Sequence, residues 1–255
     1  MMQKLKIKNY ILDDGRPIIC VPIIKKSQED IVKEAKKLVE KQVQMIEWRV
    51  DWFENAMSLE AIQDVLKEIR PLLENVMLLF TFRSKKQGGE LAAEAPYLIK
   101  LYELAAKSGV VDLIDVEFFE TKNPRKIIRS IQSQGVAVIS SHHDFDETPS
   151  EFVMHMILEQ MAEGGADIVK LAVMPKNPLD VLSLLAATTK FKEGHKELPV
   201  VTMSMGRYGV ISRISGETFG SCITFGSHEQ PSAPGQLQME TLDKILNYLH
   251  ETGNR

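Results

Sequence analysis

A single lysine interrupts a short apolar run in the second half of the chain. Residues 167–173 read Asp-Ile-Val-Lys-Leu-Ala-Val and lie between Gly164-Gly165 and Pro175, a pattern typical of a strand buried on both faces. Burial disfavours the charged form of an amine. Lys170 is therefore expected to extend back to solvent, to pair with a carboxylate, or to act as a desolvated amine that forms a Schiff base with a carbonyl compound.

Two adjacent histidines follow the preceding apolar run, in the segment Ser140-Ser141-His142-His143-Asp144. Neighbouring residues of a strand point to opposite faces, so one of these imidazoles can share a site with Lys170. An imidazole titrates near neutral pH and suits proton transfer. A metal site is the alternative, but it would need further ligands from other strands, and the remaining histidines fall in predicted helices or loops. We therefore expect no metal.

Arginines and carboxylates also follow apolar runs. In residues 47–51, strand alternation places Glu47, Arg49 and Asp51 on one face, and Arg83 follows a third run directly. Arginine side chains suit an anionic ligand that carries hydroxyl groups. The alternative is an internal ion-pair network without a ligand.

The periodicity of apolar residues indicates how the chain positions these side chains. Runs of strand character alternate with helical patterns, and a short alternating segment at residues 4–12 predicts one arm of an N-terminal β-hairpin, with a turn after it at 13–15. The predicted strands are 17–23, 45–51, 76–82, 110–116, 136–141, 167–173, 199–205 and 220–225. The predicted helices are 28–43, 58–70, 91–107, 124–133, 148–163, 178–191 and 239–250.

This alternation predicts an α/β fold, a (β/α)₈ TIM barrel with its chemistry at the carboxyl ends of the strands. A doubly wound open sheet is the alternative, but no glycine-rich phosphate loop follows the first predicted strand. We find no linker or repeat, so residues 1–255 are expected to form one domain.

Composition limits the partners. The net charge of −4 gives no reason to expect binding to nucleic acid or to a membrane surface, and from the first residues we expect neither a signal peptide nor a membrane span. These features predict a cytoplasmic protein. Cys20 and Cys222 are expected to be buried free thiols.

A segment rich in small and turn-forming residues spans 226–236 and contains Ser232-Ala233-Pro234-Gly235-Gln236. It is expected to be either a plain surface loop or a loop that closes over a ligand at the top of the barrel.

These segments together resemble type I 3-dehydroquinate dehydratase, in the same order and over essentially the whole chain. The segments that carry the resemblance are Glu47-Trp48-Arg49-Val50-Asp51, Thr81-Phe82-Arg83-Ser84, Ser141-His142-His143-Asp144-Phe145, Lys170-Leu171-Ala172-Val173-Met174-Pro175, Met203-Ser204-Met205-Gly206 and Ser232-Ala233-Pro234-Gly235-Gln236.

The resemblance implies a homodimeric barrel in the shikimate pathway that acts on 3-dehydroquinate without metal or organic cofactor. It implies that Lys170 forms the Schiff base and that His143 is the general acid and base. The implied substrate-binding residues are Glu47, Arg49 and Arg83 for hydroxyl groups, Arg213 for the carboxylate, and Ser232 and Gln236 with Ala233 in the lid; the implied pocket walls are Phe145, Met203, Met205 and Phe225.

One position departs from the family pattern. Many members have a glutamate before the paired glycines of the third loop, and its carboxylate orients the histidine, whereas this chain has Gln87. An amide keeps a hydrogen bond but loses the charge that favours an imidazolium. Two other functions remain open at this point: a class I aldolase that uses the same lysine but breaks a carbon-carbon bond, and a barrel that binds a hydroxy acid without turnover, for which Gln87 is the reason.

Overall fold

The structure, a computed structural model, describes residues 4–253. Within that range a parallel sheet of eight strands is surrounded by helices, and a two-stranded antiparallel hairpin precedes it. The hairpin strands are β1 (Lys6–Ile7) and β2 (Tyr10–Ile11). The strands of the large sheet are β3 (Ile18–Ile23), β4 (Met45–Arg49), β5 (Met77–Thr81), β6 (Leu113–Glu117), β7 (Ala137–Asp144), β8 (Ile168–Val173), β9 (Val200–Ser204) and β10 (Ile223–Phe225). The helices are α1 (Gln28–Glu40), α2 (Leu59–Ile69), α3 (Ala95–Lys107), α4 (Pro124–Gln132), α5 (Glu151–Glu163), α6 (Pro178–Gly194), α7 (Val210–Ile214), α8 (Gly216–Phe219) and α9 (Met239–Gly253).

The large sheet curls into a nearly closed barrel. Each strand pairs in parallel with the next in sequence from β3 to β9, and β10 returns to pair with β3. Between β9 and β10 the ring is joined by a parallel bridge between Val200 and Ser221, and the Cys222 N–H donates to the Val200 carbonyl at 2.9 Å. The predicted (β/α)₈ barrel with its N-terminal hairpin is confirmed, and the doubly wound alternative was wrong.

Apolar side chains fill the barrel and the layer around it. One buried cluster lies inside the ring and includes Cys20, Met45 and Leu79, while Ile7 and Leu12 of the hairpin segment pack into the same cluster. Lys8 of the hairpin donates to the Val76 carbonyl, just before β5, at 2.6 Å and lies 3.0 Å from Asp112, just before β6. The hairpin therefore covers the end of the barrel opposite the carboxyl ends of the strands. Both Cys20 and Cys222 are buried free thiols, as expected.

Several predicted boundaries were wrong for identifiable reasons. Helix α5 starts at Glu151 instead of residue 148, because the Ser150 hydroxyl caps it by accepting the Val153 N–H at 3.4 Å. Helix α3 starts at Ala95 instead of residue 91, because the Leu91 carbonyl accepts the Lys85 N–H and closes the preceding loop. Strand β7 runs on to Asp144, three residues beyond its predicted end.

Other differences lie in short elements. Both hairpin strands lie inside residues 4–12, and the chain reverses at Lys8, whose φ is 52°, before the turn predicted at 13–15. The short helices α7 and α8 were not predicted, since neither is long enough to give an apolar period.

Across residues 4–253, no helix is both long enough and apolar enough to cross a membrane.

Candidate active site

A cavity opens at the carboxyl ends of the barrel strands. Thirteen of the fourteen side chains predicted for the site lie among the described residues that line it: Glu47, Arg49, Arg83, Gln87, His143, Phe145, Lys170, Met203, Met205, Phe225, Ser232, Ala233 and Gln236. Gly88 and Ala172 also line it. The fourteenth, Arg213, does not line the cavity but contacts two elements of its wall.

The Lys170 side chain points into the barrel and is only 3% exposed. Its Nζ lies 3.4 Å from Oδ2 of Asp115 and 4.0 Å from Oε1 of Glu47. The ring of Phe225 covers the amine, with Nζ 4.3 Å from the ring centroid. Of the alternatives left open by the sequence, a route to solvent was wrong. The ammonium is instead compensated by two buried carboxylates and by an aromatic face.

Asp115 links Lys170 to Arg83. Its Oδ2 lies 2.7 Å from Nη2 of Arg83, and its Oδ1 accepts the Ser141 hydroxyl at 2.6 Å. Burial alone would raise the pKa of Asp115, but the charges of Arg83 and Lys170 outweigh it and lower the pKa. Burial opposes the charge of Arg83 in the same way, and Asp115 with Glu117 raises its pKa instead. Both groups are therefore held in their charged forms.

Arg49 is fixed at the edge of the cavity by Asp51. Its Nε and Nη2 donate to the two oxygens of Asp51 at 2.8 and 2.7 Å. Burial opposes the charge of Arg49, yet the Asp51 carboxylate raises its pKa. Beside it, the Glu47 carboxylate accepts the Thr81 hydroxyl at 2.9 Å. The donors and acceptors of Arg49 and Glu47 thus reach the cavity in fixed positions.

His143 is held by Gln87. Oε1 of Gln87 accepts the backbone N–H of His143 at 3.0 Å and lies 3.0 Å from its ring Nδ1. A backbone N–H can only donate, so the atom facing it must be the amide oxygen, and Nδ1 must then carry a proton. This leaves a lone pair on Nε2. Burial, together with the charges of Arg83, Lys170 and Arg49, lowers the pKa of His143 well below the ordinary histidine value.

The neighbouring His142 faces away from the cavity, so only one of the two adjacent imidazoles lines it, as strand alternation predicted. Its ring packs edge-on against Phe119, with 5.2 Å between centroids. Burial lowers its pKa as well.

Arg213 is a buried cation whose hydrogen-bond partners among the described residues are neutral. Nη2 donates to the Pro234 carbonyl at 2.9 Å, Nη1 lies 3.7 Å from Sδ of Met203, and Nε has no hydrogen-bond partner among the described residues. The side chain is 1% exposed, and burial lowers its pKa to about 10. Burial of a guanidinium away from water, without a carboxylate partner, costs free energy, and an anionic ligand would offset that cost.

The segment 226–236, here called the lid loop, covers the cavity. Its ends meet at a bridge between Ser227 and Gln238, and its tip is held where Gly206 N–H donates to the Pro234 carbonyl at 3.1 Å. Inside the loop, Oε1 of Gln236 accepts the Ser232 N–H at 2.8 Å. The prediction of a loop over the top of the barrel agrees with this placement.

The arm of the lid loop next to α1 is held by ion pairs. Nδ1 of His228 lies 2.7 Å from the buried Glu34 carboxylate, and Lys25 and Lys37 both contact Glu229. Hydrogen bonds from these lysines lower the pKa of Glu229 to about 2. Sequence reasoning missed this anchor, because its members come from elements far apart in the chain.

Sequence reasoning also missed the role of Asp115 as the partner of Lys170. Its position at the carboxyl end of β6, on the same face as Glu117, was visible in the alternation. The pairing itself depends on the strand register, in which Glu117 lies opposite Ser141 and Ser141 opposite Lys170.

Comparison with known proteins agrees with this geometry. The family model described as type I 3-dehydroquinase matches residues 19–253. A 3-dehydroquinate dehydratase of Clostridioides difficile (strain 630) is 44% identical over 255 residues and is covered, like this chain, over 100% of its length. A 3-dehydroquinate dehydratase of Listeria monocytogenes serotype 4a (strain HCC23) is 43% identical, in an alignment that covers 98% of this chain and 99% of the Listeria protein.

Solved structures match as well. The crystal structure of type I 3-dehydroquinate dehydratase from Clostridium difficile with covalent modified comenic acid gives a TM-score of 0.95 at 44% identity, over 99% of this chain and 100% of that one. The 3-dehydroquinate dehydratase structure from Geobacillus kaustophilus HTA426 gives 0.95 at 33% identity, over 99% and 98%. By its sequence and by the arrangement of its strands, this chain belongs to the type I 3-dehydroquinase family.

Proposed function

We propose that the protein dehydrates 3-dehydroquinate to 3-dehydroshikimate through a Schiff base on Lys170. The observation that carries the proposal is the presence, in one cavity, of a buried lysine and of a histidine whose Nε2 carries a lone pair. The reaction is inferred from the family to which the chain belongs, and the side chains of this cavity include groups suited to each of its steps.

The proposed sequence begins when the ammonium of Lys170 gives one proton to Nε2 of His143 and the resulting neutral amine adds to the substrate ketone. His143 passes that proton to the former ketone oxygen, which leaves as a first water, and an iminium forms. Nε2 of His143 then takes a proton from the adjacent carbon, and the electron pair moves into an enamine. The imidazolium returns that proton to the departing β-hydroxyl, so that a second water leaves. One water hydrolyses the conjugated iminium and frees Lys170, so the net change is the loss of one water.

The binding roles follow from charge and position. Arg213, whose hydrogen-bond partners among the described residues are neutral, is proposed to bind the substrate carboxylate. Glu47, Arg49 and Arg83 are proposed to bind hydroxyl groups, with Ser232, Ala233 and Gln236 closing over the ligand. Phe145, Met203, Met205 and Phe225 would form the apolar walls.

The experiment that tests the function is borohydride trapping with 3-dehydroquinate, together with an ultraviolet assay for the conjugated product. A dehydratase gains a stable adduct on Lys170 and releases product, and Lys170→Ala does neither. The matched control is Lys176→Ala, an exposed lysine just beyond the same strand, which is expected to behave as the parent protein. Binding without adduct or product would favour the non-catalytic alternative, and a carbon-carbon cleavage product would favour an aldolase.

We also propose a homodimer that forms through the outer faces of α5 and α6. Phe152 and Leu179 are 72% and 70% exposed, and Leu182 is 60% exposed, so this surface is strongly apolar. Exposed apolar patches of this kind mark association surfaces. Ser183 and Ala186, which share one face of α6 with Leu179 and Leu182, are accessible and uncharged, as expected for a surface that meets a copy of itself.

The remaining expectations stay predictions. A single domain over residues 1–255 is supported by the packing of Ile7 and Leu12 into the barrel cluster, and by a family match that reaches residue 253. A cytoplasmic location and a reaction without metal or organic cofactor are expected from the sequence and are open to direct test.

A further inference from the structure

Asp51 lies just beyond β4, in a 3-10 turn from Val50 to Trp52, and its side chain is fully buried. None of the roles proposed above uses it. Nevertheless, its carboxylate receives an unusual set of donors, which come from two different parts of the candidate site.

Among the described residues, four N–H groups donate to this carboxylate. Oδ1 accepts Nε of Arg49 at 2.8 Å and the backbone N–H of Arg83 at 3.2 Å. Oδ2 accepts Nη2 of Arg49 at 2.7 Å and the backbone N–H of Glu90 at 3.1 Å. Each oxygen thus takes one guanidinium and one backbone donor, which fills the acceptor capacity of an ionised carboxylate.

The two backbone donors lie at the two ends of residues 83–90, here called the Gln87 loop. Inside it, Gly89 N–H donates to the Ser84 carbonyl at 2.9 Å, and Gln87 ends a short 3-10 turn. A Cβ at Gly89 would lie 1.9 Å from the Arg83 carbonyl oxygen, so the two ends of the loop approach closely. Asp51 joins these ends from the side that faces Arg49.

The loop in turn places Gln87 next to His143. Since Oε1 of Gln87 fixes the proton on Nδ1 of His143, the position of the loop decides which imidazole nitrogen is free. Asp51 is therefore connected to Arg49 by a direct ion pair and to His143 through the loop and Gln87.

We propose that Asp51 is a positioning residue that holds Arg49 for substrate binding and, through the Gln87 loop, keeps His143 in its Nδ1–H form. The kinetic part of this proposal rests on the dehydratase function proposed above, whereas the part that concerns the imidazole does not. Asparagine cannot replace Asp51, because its NH₂ group would face one guanidinium N–H and one backbone N–H in either orientation.

The test compares Asp51→Asn with Asp64→Asn, an exposed aspartate 3.0 Å from Lys67 on α2. The first measurement is the ¹⁵N spectrum of the His143 imidazole in the ligand-free protein. We expect one Nδ1–H pattern in the parent and in Asp64→Asn, and a mixture of tautomers in Asp51→Asn. In a Gln87→Met background, Asp51→Asn should change the imidazole spectrum no further.

The second measurement is steady-state kinetics. We expect Asp51→Asn to raise KM by about tenfold or more, because Arg49 loses its charged partner, and to lower kcat through His143. If Asp51→Asn lowers the thermal stability but leaves the His143 spectrum and KM unchanged, the role of Asp51 is purely structural. That result would overturn the proposal. If the parent protein itself does not turn over 3-dehydroquinate, the proposed function fails, and the imidazole spectrum still decides the role of Asp51.

If Asp51→Asn does not fold, amide hydrogen exchange in the parent protein tests whether Asp51 holds the ends of the Gln87 loop. The proposal requires slow exchange at the Arg83 and Glu90 N–H groups, which donate to Asp51. Exchange at either amide as fast as in an open loop would overturn it.

Discussion

Gln87 and His143 are joined by one oxygen that serves two donors. Oε1 of Gln87 lies 3.0 Å from the backbone nitrogen of His143 and 3.0 Å from its ring Nδ1. The amide therefore fixes the tautomer without adding a negative charge, and the pH dependence of the reaction should reflect that difference.

The first prediction concerns Gln87→Glu. A general base works only when unprotonated, so kcat/KM rises with pH through the pKa of His143. Burial and the charges of Arg83, Lys170 and Arg49 lower that pKa, which places the acid limb of the parent protein well below about 6.5. A carboxylate at position 87 favours the imidazolium and should move the limb to higher pH by about one unit or more. Gln87→Met is the control without charge, and coincident limbs for the parent and Gln87→Glu would refute this explanation.

The second prediction concerns His143→Ala. Imine formation depends on Lys170 more than on the imidazole, so we expect the covalent adduct with 3-dehydroquinate to form and persist while product release nearly stops. Mass spectrometry after borohydride treatment measures the adduct. His142→Ala, whose ring faces Phe119, is the matched control and should retain turnover. Rapid product release by His143→Ala would assign the proton transfers to another group.

The third prediction concerns Arg213→Gln. Loss of a charge-assisted bond to the substrate carboxylate should raise KM by about 30-fold to 100-fold. The ligand-free variant should unfold at the same or a higher temperature, because the change removes a buried cation whose pKa burial has already lowered to about 10. Arg207→Gln, at an exposed position nearby, should change neither value. An unchanged KM in Arg213→Gln would place the carboxylate elsewhere.

The fourth prediction concerns Gly235→Ala in the lid loop. Gly235 has φ +80°, and a Cβ there would lie 2.4 Å from the Gly206 carbonyl oxygen. The added methyl group should separate the loop tip from Gly206, raise KM and increase proteolysis within 226–236, while the barrel stays folded. Gly194→Ala is the control, because no atom lies within 4 Å of its Cβ position. If proteolysis and KM match the parent protein, the loop does not act as a lid.

The fifth prediction concerns Leu182→Glu on α6. A charge in the middle of the proposed dimer surface should convert the dimer to a monomer, as measured by light scattering after size-exclusion chromatography. Tyr248→Glu on α9 is the control, since Tyr248 is 71% exposed on a different helix. A parent protein that is already monomeric, or dimers of both variants, would rule out this surface as the dimer contact.

The fold was largely predictable because its main signals are local. Strands buried on both faces are continuous apolar runs, and helices between them carry a helical period, so barrel and strand-end residues follow from the sequence. Alternation predicted that only one of the two adjacent histidines enters the cavity, and the family resemblance identified that residue as His143. Helices α7 and α8 carry no such period, and the cap at Ser150 competes with Pro149 as a start signal.

The sequence predicted which residues form the site better than it predicted which of them contact one another. Lys170 stands out because a cation in an apolar run is costly, but its pairing with Asp115 crosses the inside of the barrel and depends on register. The bond between Gln87 and His143 depends on a loop closed by backbone contacts at Gly88 and Gly89. The partners in the Lys170–Asp115 and His143–Gln87 pairs lie 55 and 56 residues apart in the chain, and no local pattern encodes such contacts.

The position of the Lys170 amine between Asp115 and Glu47 has a consequence for later steps. A protonated imine carries the same single positive charge, on the same nitrogen, as the ammonium that it replaces. The two carboxylates that neutralise the resting amine can thus neutralise the covalent intermediate without moving, and the surrounding dipoles need little rearrangement between the two states. The resting protein is in this respect already organised for the intermediate.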